Sequence, residues 1–287
     1  MGSLEGGASV TAETSWGVRK IFVVIDPTRL VQAALEKAEW IAERNDASLH
    51  LYCCTHDSHL AFDHQAKQMT VDKTGAWLER ISDVAKDKRI PVTIQVEWEA
   101  DWRRKIVDAA LASEADLIVK TSAKHSQLAR HLMKTSDWTL LRNAVSPTLL
   151  VNPNQPADNP VVLAAVKLKP NDEVHFTLNE RVINMSHSIA SALEAELHAV
   201  TVYKGEELYF DRQHFADRCG LPRNRVHAVE GAAHRGVAEV AKEIGAGVLI
   251  VGCASGESRE RGGLVADTAQ RVIDEVNADV VVVPPAA

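Results

Sequence analysis

The sequence predicts an α/β protein built from two tandem domains, each a parallel five-stranded sheet with helices on both faces. Three observations predict it. Short runs such as KIFVV (20–24), VVLAA (161–165) and VLIV (248–251) are apolar at successive positions, as strands buried on both faces must be. These runs alternate with segments of helical periodicity, the pattern of βαβ units. The order of elements then repeats: ASLHLYCC (47–54) has its counterpart in AELHAVTV (195–202), with His50 opposite His198.

In the first half, KIFVVIDPTR (20–29) is a strand closed by Asp-Pro, and LVQAALEKAEWIAERN (30–45) is a helix. ASLHLYCCT (47–55) is a strand, and residues 56–88 form a polar, helix-biased stretch. IPVTIQVEW (90–98) alternates with period two, as a strand does, and WRRKIVDAALASEA (102–115) reads as a helix. DLIVK (116–120) is a strand, SDWTLLRNAV (136–145) a helix, and PTLLVNP (147–153) the closing strand.

The second half repeats this order. Its strands are VVLAAVKLKP (161–170), AELHAVTVY (195–203), LPRNRVHAVE (221–230), VLIVG (248–252) and VVVVPP (280–285). Its helices are NMSHSIASALEA (184–195) and HRGVAEVAKEIGA (234–246). Over residues 116–153 the halves align at a constant shift of 132, which sets Lys120 opposite Gly252. NPNQPADNP (152–160) punctuates the chain. The expected organisation is therefore a disordered tail at 1–17, a domain at 18–153, a linker at 154–160 and a second domain at 161–285.

Bulk properties set the class. The chain has 287 residues, 46% hydrophobic and 25% charged, the proportions of an ordinary globular protein. A formal net charge of -7 argues against a general nucleic-acid binder. Four cysteines with no Cys-x-x-Cys pair fit a reducing cytoplasm. The first seventeen residues lack the basic and apolar regions of a secretory signal. No apolar run reaches the ~18 residues of a membrane span.

Chemistry concentrates in VGCASGESRERGGLVADTAQRVID (251–274). A strand that ends in glycines and feeds a helix offers unpaired N–H groups and the positive end of a dipole, a ready anion site. Gly252, Gly256, Gly262 and Gly263 permit close backbone approach. Ser255, Ser258 and Thr268 carry hydroxyl donors, and Arg259 and Arg261 balance phosphate charge. Cys253 and Ala254 lie between the first glycines.

The two halves, each opening on an apolar strand with an Asp-like turn and closing on a Val-rich strand with proline, resemble tandem universal stress protein domains. The resemblance covers about residues 18 to 285 and implies a Rossmann-like fold of the adenine nucleotide alpha hydrolase type. SDWTLLRNAVSPTLLV (136–151) resembles the tandem subgroup in which the first half lacks a glycine loop. Family members that bind nucleotide carry Gly, two residues, Gly, nine residues and Gly-Ser or Gly-Thr. Here Gly252 follows the strand, Gly256 comes one residue late, and Ala266-Asp267-Thr268 stands where the Gly-Ser/Thr pair would be.

The resemblance also implies an adenine-recognising Asp at the end of the first strand. Asp26 holds that place in the first half. Lys167, beside Val166, holds it in the second. Asp26 also suits a turn before Pro27. Asp267 would repel phosphate and suits the N-cap of the following helix. The cofactor implied is ATP or another adenine nucleotide, held in the second half by Val166, Lys167, Gly252, Cys253, Ala254, Ser255, Gly256, Arg259, Gly262, Gly263, Ala266, Asp267 and Thr268.

Other constellations carry less. HLYCCTHDSHLAFDHQ (50–65) offers His50, Cys53, Cys54, His56, His59, Asp63 and His64, but the spacing matches no closed zinc pattern. Cys53 and Cys54 read as small packed residues, and Trp138 as core or inter-half packing. Arg103, Arg104 and Lys105 read as a solvated helix start. The chain has no G-x-S-x-G elbow and no Walker loop, and no catalytic residue is expected.

The functional reading is a cytoplasmic stress-tolerance protein that binds a nucleotide and does not turn it over. The alternatives are an interaction scaffold with a relic loop, or a weak ATPase or metal-dependent enzyme. No nucleic-acid or membrane partner is expected. LLVNP and VVVVPP should meet within one chain as a pseudo-dimer, with any homodimer formed through another face.

Overall fold

A computed structural model describes residues 17–60, 62–122, 136–154, 161–168, 173–203, 212–253 and 264–285, with backbone alone at 136, 173–175 and 264–268. The first half contains β1 (Lys20–Val24), α1 (Ala33–Asn45), β2 (Ser48–Thr55), α2 (His64–Ile81), α3 (Asp83–Asp87), β3 (Val92–Trp98), α4 (Trp102–Ala112), β4 (Leu117–Thr121), α5 (Ser136–Asn143) and β5 (Thr148–Val151). The second contains β6 (Val161–Ala165), α6 (Glu173–Ala192), β7 (Leu197–Tyr203), α7 (Arg212–Cys219), β8 (Val226–Glu230), α8 (Ala233–Glu243), β9 (Ala246–Gly252), α9 (Leu264–Glu275) and β10 (Asp279–Val283).

The strands form one ten-stranded sheet in the order β3-β2-β1-β4-β5-β10-β9-β6-β7-β8. Neighbours are parallel except β5 and β10, which pair antiparallel, Leu149 opposite Val281. β5 and β10 would each be the open edge of its own half. Both are fully buried, and pairing them removes two apolar edges at once. The expected meeting of the closing strands is borne out.

Side chains alternate across the sheet. Ile21 and Val23 of β1 face α1, α2 and α3, while Phe22 and Val24 face α4 and α5. On the first face one cluster runs unbroken into the second half, through Leu149, Val281, Ile250 and Phe215. On the other face the core is split between the halves. Trp138 and Leu141 of α5 lean across the seam onto the second of these cores, as expected for Trp138.

The register corrects the sequence alignment. His50 and His198 lie opposite Phe22 and Leu163, and these face Ile118 and Leu249. Through β4 and β9 the halves are thus offset by 131 and not 132. Thr121, not Lys120, stands opposite Gly252. A one-residue slip reverses which face a side chain takes, and an apolar run such as DLIV reads equally well in either register. α6 also begins eleven residues before the helix read from residue 184, and α7 falls where no helix was read.

Candidate functional site

In a sheet of this order the sequence of strands reverses between β1 and β4 and again between β6 and β9. Ligands of open α/β sheets bind at the carboxyl ends of strands beside such a reversal. Four of the residues expected to hold nucleotide meet at the second crevice, and most of their backbone is committed to the fold. Val166 N–H donates to Val200 O (2.9 Å) and Cys253 N–H to Val283 O (2.9 Å). Asn179 clasps Lys167 from α6: its Oδ1 accepts from Lys167 N–H (3.1 Å) and its Nδ2 donates to Lys167 O (2.7 Å).

Gly252 is small for a packing reason. A Cβ built there would lie 2.7 Å from Leu178 Cγ, so the glycine admits the buried Leu178 of α6 against the sheet. Gly252→Ala is therefore expected to destabilise the protein by about 1–3 kcal/mol, as overpacking does. Thermal melts with and without ATP check this: the loss should be the same in both. Cys253 is buried, and burial pushes its thiol above the ordinary value against the opposing charge of Arg142. Ala254, Ser255, Gly256, Ser258, Arg259, Arg261, Gly262 and Gly263 lie outside the described residues. α9 begins at Leu264, so Ala266, Asp267 and Thr268 fall within its first turns. Asp267 is thus inside the helix and is not its N-cap.

At the first crevice Asp26 is bonded into its own turn. Asp26 accepts from Thr28 N–H (3.0 Å), Thr28 Oγ1 (2.6 Å) and Arg29 Nε (3.1 Å). Partial burial works to raise this carboxyl, but the bonds from Thr28 and Arg29 outweigh it and hold Asp26 below the ordinary value. Its oxygens are spent on its own turn, the role before Pro27 that its local sequence suits. Gln32 Nε2 donates to Asp26 O (2.8 Å), as Asn179 does to Lys167 O. Thr121 Oγ1 accepts from Ala34 N–H (3.1 Å). Beside it, Lys120 Nζ lies 2.7 Å from Asp137 Oδ1, with side-chain exposures of 11% and 7%. At the positions matching Lys120 and Asp137, the second half places the buried apolar Val251 and Ala269.

Residues 17–152 match the family model of the universal stress protein family. Across both halves, the chain is 22% identical to universal stress protein E of Escherichia coli K12, over 93% of this chain and 94% of that one. Residues 17–152 are a universal stress protein domain. Among solved structures, a functionally unknown protein of Pseudomonas aeruginosa PAO1 is similar at 26% identity with a TM-score of 0.76, covering 94% of each chain. A universal stress protein of Archaeoglobus fulgidus is similar at 14% identity and a TM-score of 0.74, covering 94% of this chain and 98% of that one. This last likeness is one of fold.

Three of the histidines, His50, His198 and His227, hold structural niches. His50 Nδ1 bonds Thr93 Oγ1 (2.8 Å) and its Nε2 bonds Gln95 Oε1 (3.0 Å), with the ring stacked on Phe22. His198 Nδ1 lies 3.0 Å from His227 Nε2, and its Nε2 lies 3.1 Å from Glu196 Oε1. One imidazole must donate to the other, so that bond needs at least one neutral ring.

Burial lowers the affinity of His50 and His227 for a proton, helped by Lys20 at His50 and by His198 and Arg212 at His227; Gln95 and Glu243 oppose this in part. A base whose folded value is depressed binds protons more readily when unfolded. Stability is then full above the ordinary histidine value of 6.5 and declines as pH falls below it. Urea midpoints at pH 8 and pH 5.5 should show that drop, and His227→Gln should flatten it.

Among the described residues, no group of three or more His, Cys, Asp or Glu could hold a metal ion. Cys53 is buried in the core, and burial pushes its thiol up to about 12. His56 instead packs on Trp98, whose ring also carries Lys67 Nζ 3.9 Å from its centroid. The basic run lies on a solvated helix start: Arg104, 59% exposed, pairs with Asp108 and Lys105, 38% exposed, with Glu97, while Arg103 stacks over Trp102. No described helix is long and apolar enough to cross a membrane.

Proposed function

We propose that this protein acts in stress tolerance by binding, without turnover, and that any adenine nucleotide it takes is held once per chain, in the second half. The observation that carries this reading is the asymmetry of the two crevices. In the first, Asp26 is closed on its own turn and a buried ion pair lies at the end of β4. In the second, β9 leads toward the glycine-rich stretch and a twelve-residue helix whose N-terminus favours an anion. A reducing cytoplasm is the compartment that suits four free cysteines. Phosphate contacts are assigned to Ser255, Gly256, Arg259, Gly262, Gly263 and Thr268. Val166, Lys167, Gly252 and Cys253 frame the crevice floor.

Calorimetric titration of ATP, with AMP and magnesium-free controls, tests this in wild type and Gly256→Glu. One saturable site per chain, lost in the variant, is the expected result. Two sites, or binding unaffected by Gly256→Glu, would overturn it. No binding in either protein would favour the second reading, an interaction scaffold with a relic loop. That reading draws on Lys167 standing where Asp26 stands in the first half, and on Leu178 packed against Gly252.

A further inference from the structure

The cavity at the seam between the halves lies away from both crevices. It sits between α1 and α6, floored by Leu117, Leu149, Val248 and Val281 from the four central strands, and holds about 90 Å³. The floor is pseudo-symmetric: the registers make Leu117 the counterpart of Val248, and Leu149 that of Val281. The walls are not. Ala47 N–H closes α1 on Ala42 O as Ala195 N–H closes α6 on Ala190 O. This matches Trp40 with Ser188 and Arg44 with Ala192. One wall thus carries a large ring and a guanidinium. The other carries two small side chains, which leave the space open.

The chemistry of the space is one-sided too. Lys37 Nζ is balanced by Asp279 at 2.9 Å. Arg44, stacked 3.9 Å from the centre of the Trp40 ring, remains as a positive charge at the mouth. An apolar cavity of roughly 150 Å³ takes up benzene, so this smaller one suits a narrow alkyl end better than a flat nucleobase.

We propose that this cavity binds the terminal alkyl segment of an acyl carboxylate, with the chain on the aliphatic floor and the carboxylate toward Arg44. Neither reading of the glycine loop bears on it.

Calorimetric titration of butanoate, hexanoate, octanoate, decanoate and 1-octanol into wild type, Ser188→Phe and Arg44→Gln tests it. Affinity should rise about fourfold per added methylene and level off once the cavity is filled. Ser188→Phe should weaken octanoate at least tenfold. Arg44→Gln should weaken octanoate and leave 1-octanol unchanged. Should Ser188→Phe fail to melt cooperatively, Ala192→Leu at an exposed position replaces it. The absence of a saturable site, binding indifferent to the filling variant, or equal effects of Arg44→Gln on octanoate and octanol would overturn the proposal.

Discussion

Asp137→Ala is expected to cost about 3–5 kcal/mol of stability, the usual penalty for leaving one member of a buried ion pair alone. Lys120 and Asp137 meet at 2.7 Å with side-chain exposures of 11% and 7%. With the carboxylate gone, the ammonium keeps Thr121 O, at 3.3 Å, as a neutral acceptor. A urea denaturation midpoint measures the loss. The double variant Lys120→Met/Asp137→Leu is expected to recover most of it, because an apolar pair of similar volume escapes the desolvation cost. The second half already packs this way, with Val251 and Ala269. Failure of the double variant to recover stability would show that the pair holds α5 by more than its charge.

Asp279→Ala is expected to cost about 2–4 kcal/mol, read as a fall in the same midpoint. The carboxylate is 3% exposed and serves two partners across the seam, Lys37 Nζ at 2.9 Å and Asn152 N–H at 2.8 Å. Asn152 in turn donates from Nδ2 to Asn277 Oδ1 at 3.0 Å. Removing the carboxylate orphans a buried backbone donor as well as a charge. Lys37 is 32% exposed, so water recovers part of its solvation. That places the expected loss below that of Asp137→Ala. Asp279→Asn keeps an acceptor for Asn152 and should lose less than alanine does.

The layered layout and the joining of the closing strands were legible because they rest on long apolar runs, whose burial leaves few arrangements. The one-residue offset at β4 and β9 was not. Leu, Ile and Val are interchangeable in a strand buried on both faces, and β6 pairs with β9 irregularly at Val161 and Val162. The early start of α6 was missed because its first residues, EVHF, follow directly on the turn-like Pro-Asn-Asp at 170–172, and α7, RQHFADRC, carries little apolar periodicity. At the candidate site the glycines were legible, but the reason for Gly252 was not. Leu178 lies far along the chain, and only the folded sheet brings the two together. The same holds for Asp26, whose local sequence suits a turn former and a ligand contact alike, and which the fold bonds to Thr28 and Arg29. Lys120 with Asp137, and Lys37 with Asp279, share no local pattern at all.

The antiparallel union of β5 and β10 changes how this protein answers dilution and mutation. Two separate subunits joined through such strands would part as their concentration fell. Here the partner strand is always on the same chain, so dilution cannot part this joint. A symmetric pair must also carry every substitution twice, once on each side of its axis. A fused pair carries it once. That freedom is visible where Trp40 and Arg44 stand opposite Ser188 and Ala192: the two sides of the axis differ, as no pair of identical subunits can.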